Sequence, residues 1–92
     1  MNLTVEFLGL SRGLAQTKES LVTLGGQATF RDVLREVAFR FPALLGSIIS
    51  PDNFELTPAF MLNVGGRRVV HDLDMPASDG QRLIIMFLEA GG

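Results

Sequence analysis

One stretch governs what this chain can fold into. Phe30, Val33, Leu34, Val37, Ala38 and Phe41 recur at i, i+3, i+4, i+7, i+8 and i+11, a single apolar stripe of helical period. Arg31, Arg35, Glu36 and Arg40 take the other side, where basic residues ordinarily serve to solvate a helix. Thr29 stands at the N-cap, and Asp32, three residues on, is placed to return the bond. Pro42 ends the regular helix, and Ala43 to Ile49 adds another turn or two. Such a helix has one apolar side and needs a partner layer to bury it.

That layer is written in the rest of the chain. Leu3, Val5 and Phe7 alternate with Asn2, Thr4 and Glu6, the pattern of a strand with one face buried. By parity Leu8 falls on the outer face. Gly9 to Lys18 reads as a loop punctuated by Gly9 and Gly13. Ser20 to Leu24 reads as a second strand stopped by Gly25-Gly26, in a hairpin with the first. After the helix come a strand over Ala59 to Val64, a tight Gly65-Gly66 turn, and a short strand over Arg67 to His71. Asp79-Gly80 then turns into a strongly apolar run, Leu83 to Leu88. The order strand, strand, helix, strand, strand, strand implies an α+β domain with one helix on one face of a mixed sheet. The first and last strands, the most apolar, belong side by side in its middle.

Composition narrows the function classes. The chain has 92 residues and a net charge of −2, so it lacks the basic excess that binding to nucleic-acid phosphates requires. It has no cysteine, which removes disulfides, thiol nucleophiles and Cys-ligated metal or iron–sulfur sites. No run approaches the ~20 apolar residues of a membrane span. The first residues alternate and carry no basic n-region, so they do not form a signal peptide. A cytoplasmic protein is expected. No nucleophile–base pair is evident, and no metal is expected. His71, at a strand end, reads as a surface histidine without ligand partners, and Asp72, Asp74 and Asp79 read as turn formers.

What remains is the end of the chain, where the apolar strand passes in four residues to Glu89-Ala90-Gly91-Gly92. Domain 1–88 is expected to be the globule and 89–92 a flexible tail. Glycine is thin and takes backbone angles closed to other residues. Four extended residues reach about 13 Å, far enough to carry a terminal carboxylate into a partner's active site.

With this order of elements the chain resembles the ubiquitin-like β-grasp sulfur carriers, and among them the MoaD-like small subunit of molybdopterin synthase. The resemblance spans essentially the whole chain. It rests on Phe7-Leu8 with the later Arg12, on the helix from Thr29 through Phe41-Pro42, on Asn63-Val64-Gly65-Gly66, and on Asp79-Gly80-Gln81-Arg82-Leu83 ahead of Gly91-Gly92. The chain departs in having Phe87-Leu88 where many members have Pro-Pro. The resemblance implies a mixed sheet of about five strands with one main helix. It further implies that Gly92, preceded by Gly91, is adenylated by an ATP-using, ubiquitin-activating-type (MoeB/ThiF-like) enzyme and converted to a thiocarboxylate. The sulfur then passes to a pterin precursor held by the large, MoaE-like synthase subunit. The protein would have no activity alone and bind no cofactor itself. Thiolation in another pathway (thiamine, cysteine or tRNA) shares this chemistry. A ubiquitin-like modifier would instead form an isopeptide; Lys18 is the single lysine on which homotypic chains could grow.

Strand parity together with the resemblance assigns Leu83, Ile85 and Phe87 to the core. Leu8, Ile84, Met86 and Leu88 are then expected on the uncovered face as a partner-docking patch. Arg68 is expected at its polar rim, and Glu89 and Ala90 as tail contacts.

Overall fold

The computed structural model describes residues 1–88. Its elements in chain order are β1 (Asn2–Phe7), α1 (Leu10–Ala15), β2 (Glu19–Thr23), α2 (Phe30–Arg40), β3 (Phe60–Val64), β4 (Arg68–Val69) and β5 (Arg82–Phe87). The strands form one sheet in the order β2-β1-β5-β3-β4. β1 and β5 lie parallel at its centre, with Val5 beside Leu83 and Phe7 beside Ile85; the other pairings are antiparallel. The central placement of the first and last strands is as the apolar pattern required.

The Asp-Gly turn locks this pairing from below. The Asn2 N–H donates to Asp79 Oδ1 (2.6 Å), the Gly80 N–H to the Asn2 carbonyl (2.7 Å), and the Thr4 N–H to the Gln81 carbonyl (3.0 Å). At the tip of the β3–β4 hairpin, Gly65 and Gly66 have φ of +63° and +76°, and the Arg67 N–H closes the turn on the Val64 carbonyl. Two successive positive φ angles match the right-handed twist of the flanking strands and suit glycine.

α2 forms where its stripe places it. Thr29 and Asp32 make a complete capping box, Asp32 N–H to Thr29 Oγ1 (3.2 Å) and Thr29 N–H to Asp32 Oδ2 (2.9 Å). Phe30, Val33, Leu34, Val37 and Ala38 are buried against Leu3, Val5, Phe7, Val22, Leu62, Leu83 and Ile85 in one core. Phe41 is half-buried, its ring edge-on to Phe7 at 5.2 Å. On the outer side Arg31 grips Asp74 through two nitrogens (2.9 and 3.3 Å) and donates to the Asn53 carbonyl, tying the helix to two loops.

Several local expectations are corrected. Residues 9–18 are not all loop: Leu10–Ala15 is a helix, ended by a left-handed Gln16 whose N–H returns to the Arg12 carbonyl. Gly13 hides it from propensity. Tertiary bonds hold it in place: the buried Ser11 hydroxyl faces the carbonyls of Leu8 (2.8 Å) and Ile85 (3.1 Å), and Arg12 Nε donates to the Phe7 carbonyl (3.0 Å). The extra helical turn after α2 is a short 3-10 turn, Pro42–Leu44. β2 begins one residue earlier than expected and β3 one later. β4 is only two residues long, leaving Arg67 and His71 outside it.

Leu34 is fully buried between helix and sheet. Leu34→Ala is expected to cost about 2–5 kcal/mol in denaturant melts, and Thr29→Ala about 1 kcal/mol; equal, negligible losses would contradict the packing described. The Asp32 carboxyl is held below its ordinary pKa, chiefly by the backbone N–H of Thr29, with the Thr29 hydroxyl and Arg35 assisting. A carboxyl depressed on folding stabilises above its unfolded pKa and loses that contribution as pH falls through the folded value. The deficit of Asp32→Asn is therefore expected at neutral pH and to vanish in acid, checked by melts across a pH series.

Candidate functional site

The layers α2, α1 and the 42–58 segment all pack on one face of the sheet, because Leu44, Ile48 and Ile49 join the same core as the α2 stripe. Among the described residues nothing covers the other face. Register shows what occupies it. Ile84 and Met86 on β5 lie beside Asn63 and Met61 on β3, and Val69 on β4 is opposite Asn63. All four apolar side chains are half-buried. Leu8, beyond the end of β1, is half-buried too, and its N–H bonds the Ile85 carbonyl (3.1 Å). Leu88 is 54% exposed. Register thus puts Ile84 and Met86 on the bare face, as alternation predicts, while Leu8 and Leu88 lie just beyond the paired residues of β1 and β5.

The face is divided by chemistry. Towards β2 it is polar: Arg82 Nη1 sits 2.8 Å from both Glu6 Oε1 and Glu19 Oε2. Hydrogen bonds and charges, those of Glu19 first and then those of Glu6, hold the Arg82 pKa above its ordinary value. Towards β3 the face is apolar, with one exception. Asn63 is only 7% exposed, and its Oδ1 is buried without a hydrogen-bond partner among the described residues. An unpaired buried amide oxygen is unfavourable in the free domain.

Two assignments change. Arg68 is not at the rim of this face: it pairs with Val64, whose side chain belongs to the core side, so Arg68 lies on the helix side of the sheet. A two-residue strand gave no parity signal, and only the register fixes it. Phe87 has core parity but is 49% exposed; its ring stacks on the core residue Phe60, with centroids 4.8 Å apart. Glu89, Ala90, Gly91 and Gly92 lie outside the described residues. His71 is exposed, and no cluster of potential metal ligands occurs among the described residues. No helix among them is long and apolar enough to cross a membrane. A groove of about 560 Å³ runs beside β3, lined by Leu56, Val70, Leu73 and the Arg31–Asp74 pair. It holds no nucleophile–base pair.

No protein-family model and no curated sequence matches the chain. Solved structures do. Small archaeal modifier protein 1 from Haloferax volcanii superposes with a TM-score of 0.84 at 21% identity, all of both chains being covered. This is a ubiquitin-like β-grasp domain. A Pyrococcus furiosus protein described as molybdopterin converting factor subunit 1 gives a TM-score of 0.74 at 21% identity over 92% of this chain and 94% of that one. The Amycolatopsis orientalis BexX/CysO complex contains a chain matching at 0.70 and 22% identity, over 98% of this chain and 99% of that one. These neighbours are of the MoaD/ThiS type to which the sequence resemblance points, and at such identities the likeness is one of fold.

The two faces of β5 make a direct test. Ile85 is fully buried and Met86 half-exposed on the bare face. Ile85→Arg is expected to abolish cooperative unfolding, whereas Met86→Arg keeps a melt within about 1 kcal/mol of wild type. Circular dichroism and denaturant titration of the two variants check this.

Proposed function

We propose that the protein is a ubiquitin-like sulfur carrier that works through its C-terminal glycine, with molybdopterin synthesis as the favoured pathway. The observation that carries the reading is structural. β5 is a core strand at the centre of a β-grasp sheet, one of its faces is bare and apolar, and in sequence it is followed by Leu88 and then Glu89-Ala90-Gly91-Gly92. Support comes from a neighbour described as a molybdopterin converting factor subunit and from one solved as part of a complex.

The chemistry lies at Gly92. A carboxylate oxygen of Gly92 attacks the α-phosphorus of ATP held by a ubiquitin-activating-type enzyme. The new P–O bond forms as the bond to pyrophosphate breaks, leaving an acyl adenylate. A hydrosulfide equivalent attacks the acyl carbon; the C–S bond forms and AMP departs, giving a thiocarboxylate. No redox change occurs in these two steps. Glycine suits the acyl position because a side chain would crowd the attacking sulfur, and Gly91 leaves the approach narrow. The domain contributes placement. The face of Leu8, Ile84, Met86 and Leu88 docks first on the activating enzyme and then on the large synthase subunit, with Glu89 and Ala90 contacting the channel that admits the tail. Such a patch, apolar with a charged flank, is the anatomy of a protein-binding surface. The domain performs no catalysis alone, and ATP belongs to the partner.

A second reading has its own support, since one neighbour is named a modifier protein. In it the same acyl adenylate is captured by a lysine, with Lys18 the one lysine of this chain available for homotypic linkage.

Intact mass spectrometry separates the readings. After incubation with the activating enzyme, ATP and a sulfur donor, a carrier gains about 16 Da as sulfur replaces oxygen, while a modifier appears as an adduct on another protein. Removal of Gly92 is expected to abolish either product and leave the melt unchanged. Retention of product by the truncated chain would contradict both. Met86→Arg is expected to weaken binding to both partners by about tenfold or more; unchanged affinity would place docking elsewhere.

A further inference from the structure

The sheet has two edges, and they differ. β4 at one edge is two residues long, whereas β2 at the other runs for five, Glu19–Thr23. The bonds at the ends of β2 fix which of its groups face outward. The Phe7 N–H donates to the Lys18 carbonyl (2.8 Å), and the Leu24 N–H donates to the Met1 carbonyl (3.0 Å). Bonded and non-bonded pairs alternate along an antiparallel ladder. In the register of β1 with β2, Val5–Ser20 and Leu3–Val22 are therefore the bonded pairs. Glu19, Leu21 and Thr23 turn their N–H and C=O groups away from β1, to the open edge. Among the described residues the N–H groups of Leu21 and Thr23 have no partner.

An open row of this kind is a template for a further strand. Here its carbonyls are capped. Arg40 reaches from α2 across to the sheet, and its Nη1 donates to the Leu21 carbonyl. Glu36 Oε1, one helical turn back, accepts from Arg40 Nε (3.1 Å) and holds the side chain in that pose. The Ser20 hydroxyl makes a longer contact with the same carbonyl (3.4 Å). The Thr17 hydroxyl donates to the Glu19 carbonyl (3.2 Å). Arg40 thus does more than solvate its helix: it occupies the middle acceptor of the edge.

We propose that β2 is a self-association surface and that Arg40 is the latch that keeps it closed to β2 of a second copy of this chain. The strand is self-complementary. Antiparallel pairing about Leu21 sets Leu21 opposite the same residue of the second copy, and Glu19 opposite Thr23. Leu21 is 61% exposed, so this register covers an apolar side chain that is bare in the monomer. It brings no like charges together, and Glu19 keeps Arg82 as its partner within its own sheet (2.8 Å). Sliding the strands until Glu19 meets its counterpart would oppose two carboxylates, so the register is specified. The central bonds of the pairing run between the two Leu21 residues, N–H to C=O in both directions. The latch acts on that bond. An incoming amide must displace a guanidinium, whose charged hydrogen bond is the stronger of the two. The surface is independent of the sulfur-carrier reading.

Sedimentation velocity over a micromolar to millimolar concentration series tests the latch on the full chain. Wild type is expected to stay monomeric. Arg40→Ala is expected to dimerise, with self-association tightened about tenfold or more. Arg40→Lys keeps a cationic donor on a long stem and is expected to stay close to wild type. Arg35→Ala removes a helix arginine that is bonded to Asp32 instead, and it is the control, expected to remain monomeric. Amide hydrogen exchange locates the contact. The Leu21 and Thr23 N–H groups, open in the monomer, are expected to slow in the Arg40→Ala dimer, while those of Ser20 and Val22, already bonded to β1, stay slow in both. Thermal melts check folding, and Arg40→Met takes the place of the alanine variant if that one unfolds. A monomeric Arg40→Ala or Arg40→Met overturns the proposal, as does a dimer whose Leu21 exchange is unchanged. Dimers of Arg35→Ala or Arg40→Lys as tight as that of Arg40→Ala, or a wild-type dimer already protected at Leu21, overturn it as well.

Discussion

The parallel pairing of β1 with β5 is the contact on which the rest depends. It joins the two ends of the described chain, residues separated by almost its full length, and places Val5, Phe7, Leu83 and Ile85 at the bottom of the core. Closing so long a loop costs conformational entropy, and the pair is correspondingly well fastened. The Asp79-Gly80 turn clamps Asn2 by two short bonds, and Ser11 clamps the far end through the Ile85 carbonyl. With this pair fixed, β2 and β3 have one neighbour each to add to, and α2 has one face to cover.

The same pairing decides which residues of β5 stay uncovered. β5 is held rigidly up to Phe87, so the residues that follow start from a defined point beside a defined surface. One helical layer cannot cover both faces of a five-stranded sheet, and the strand most deeply embedded in the fold therefore exposes Ile84 and Met86 on the bare side. The buried core and the bare apolar face draw on alternate residues of one strand.

Polar groups show where this arrangement has a cost. Arg82, Glu6 and Glu19 satisfy one another at the surface, and Arg31 is fully engaged by Asp74 and Asn53. Among the described residues, Asn63 alone holds a buried side-chain oxygen without a partner, and it sits on the uncovered face.

The sequence by itself determined the elements whose signals are local. The α2 stripe, its Thr29–Asp32 cap, the alternation in β1, the Gly65-Gly66 turn and the parity of Ile84 and Met86 were all legible, because helix period, capping and strand alternation depend on residues a few positions apart. α1 was not legible: Gly13 weakens its propensity, and the bonds from Ser11 and Arg12 that hold it reach the ends of two strands. Arg68 could not be assigned to a face, since a two-residue strand acquires its parity only from the register with Val64. Phe87 was read as core from its alternation, but alternation says which side a residue points to and nothing about how far the covering layer extends. Only the tertiary structure decided that Phe87 stacks on Phe60 with half its surface left exposed, because burial is set by what lies opposite a side chain in space.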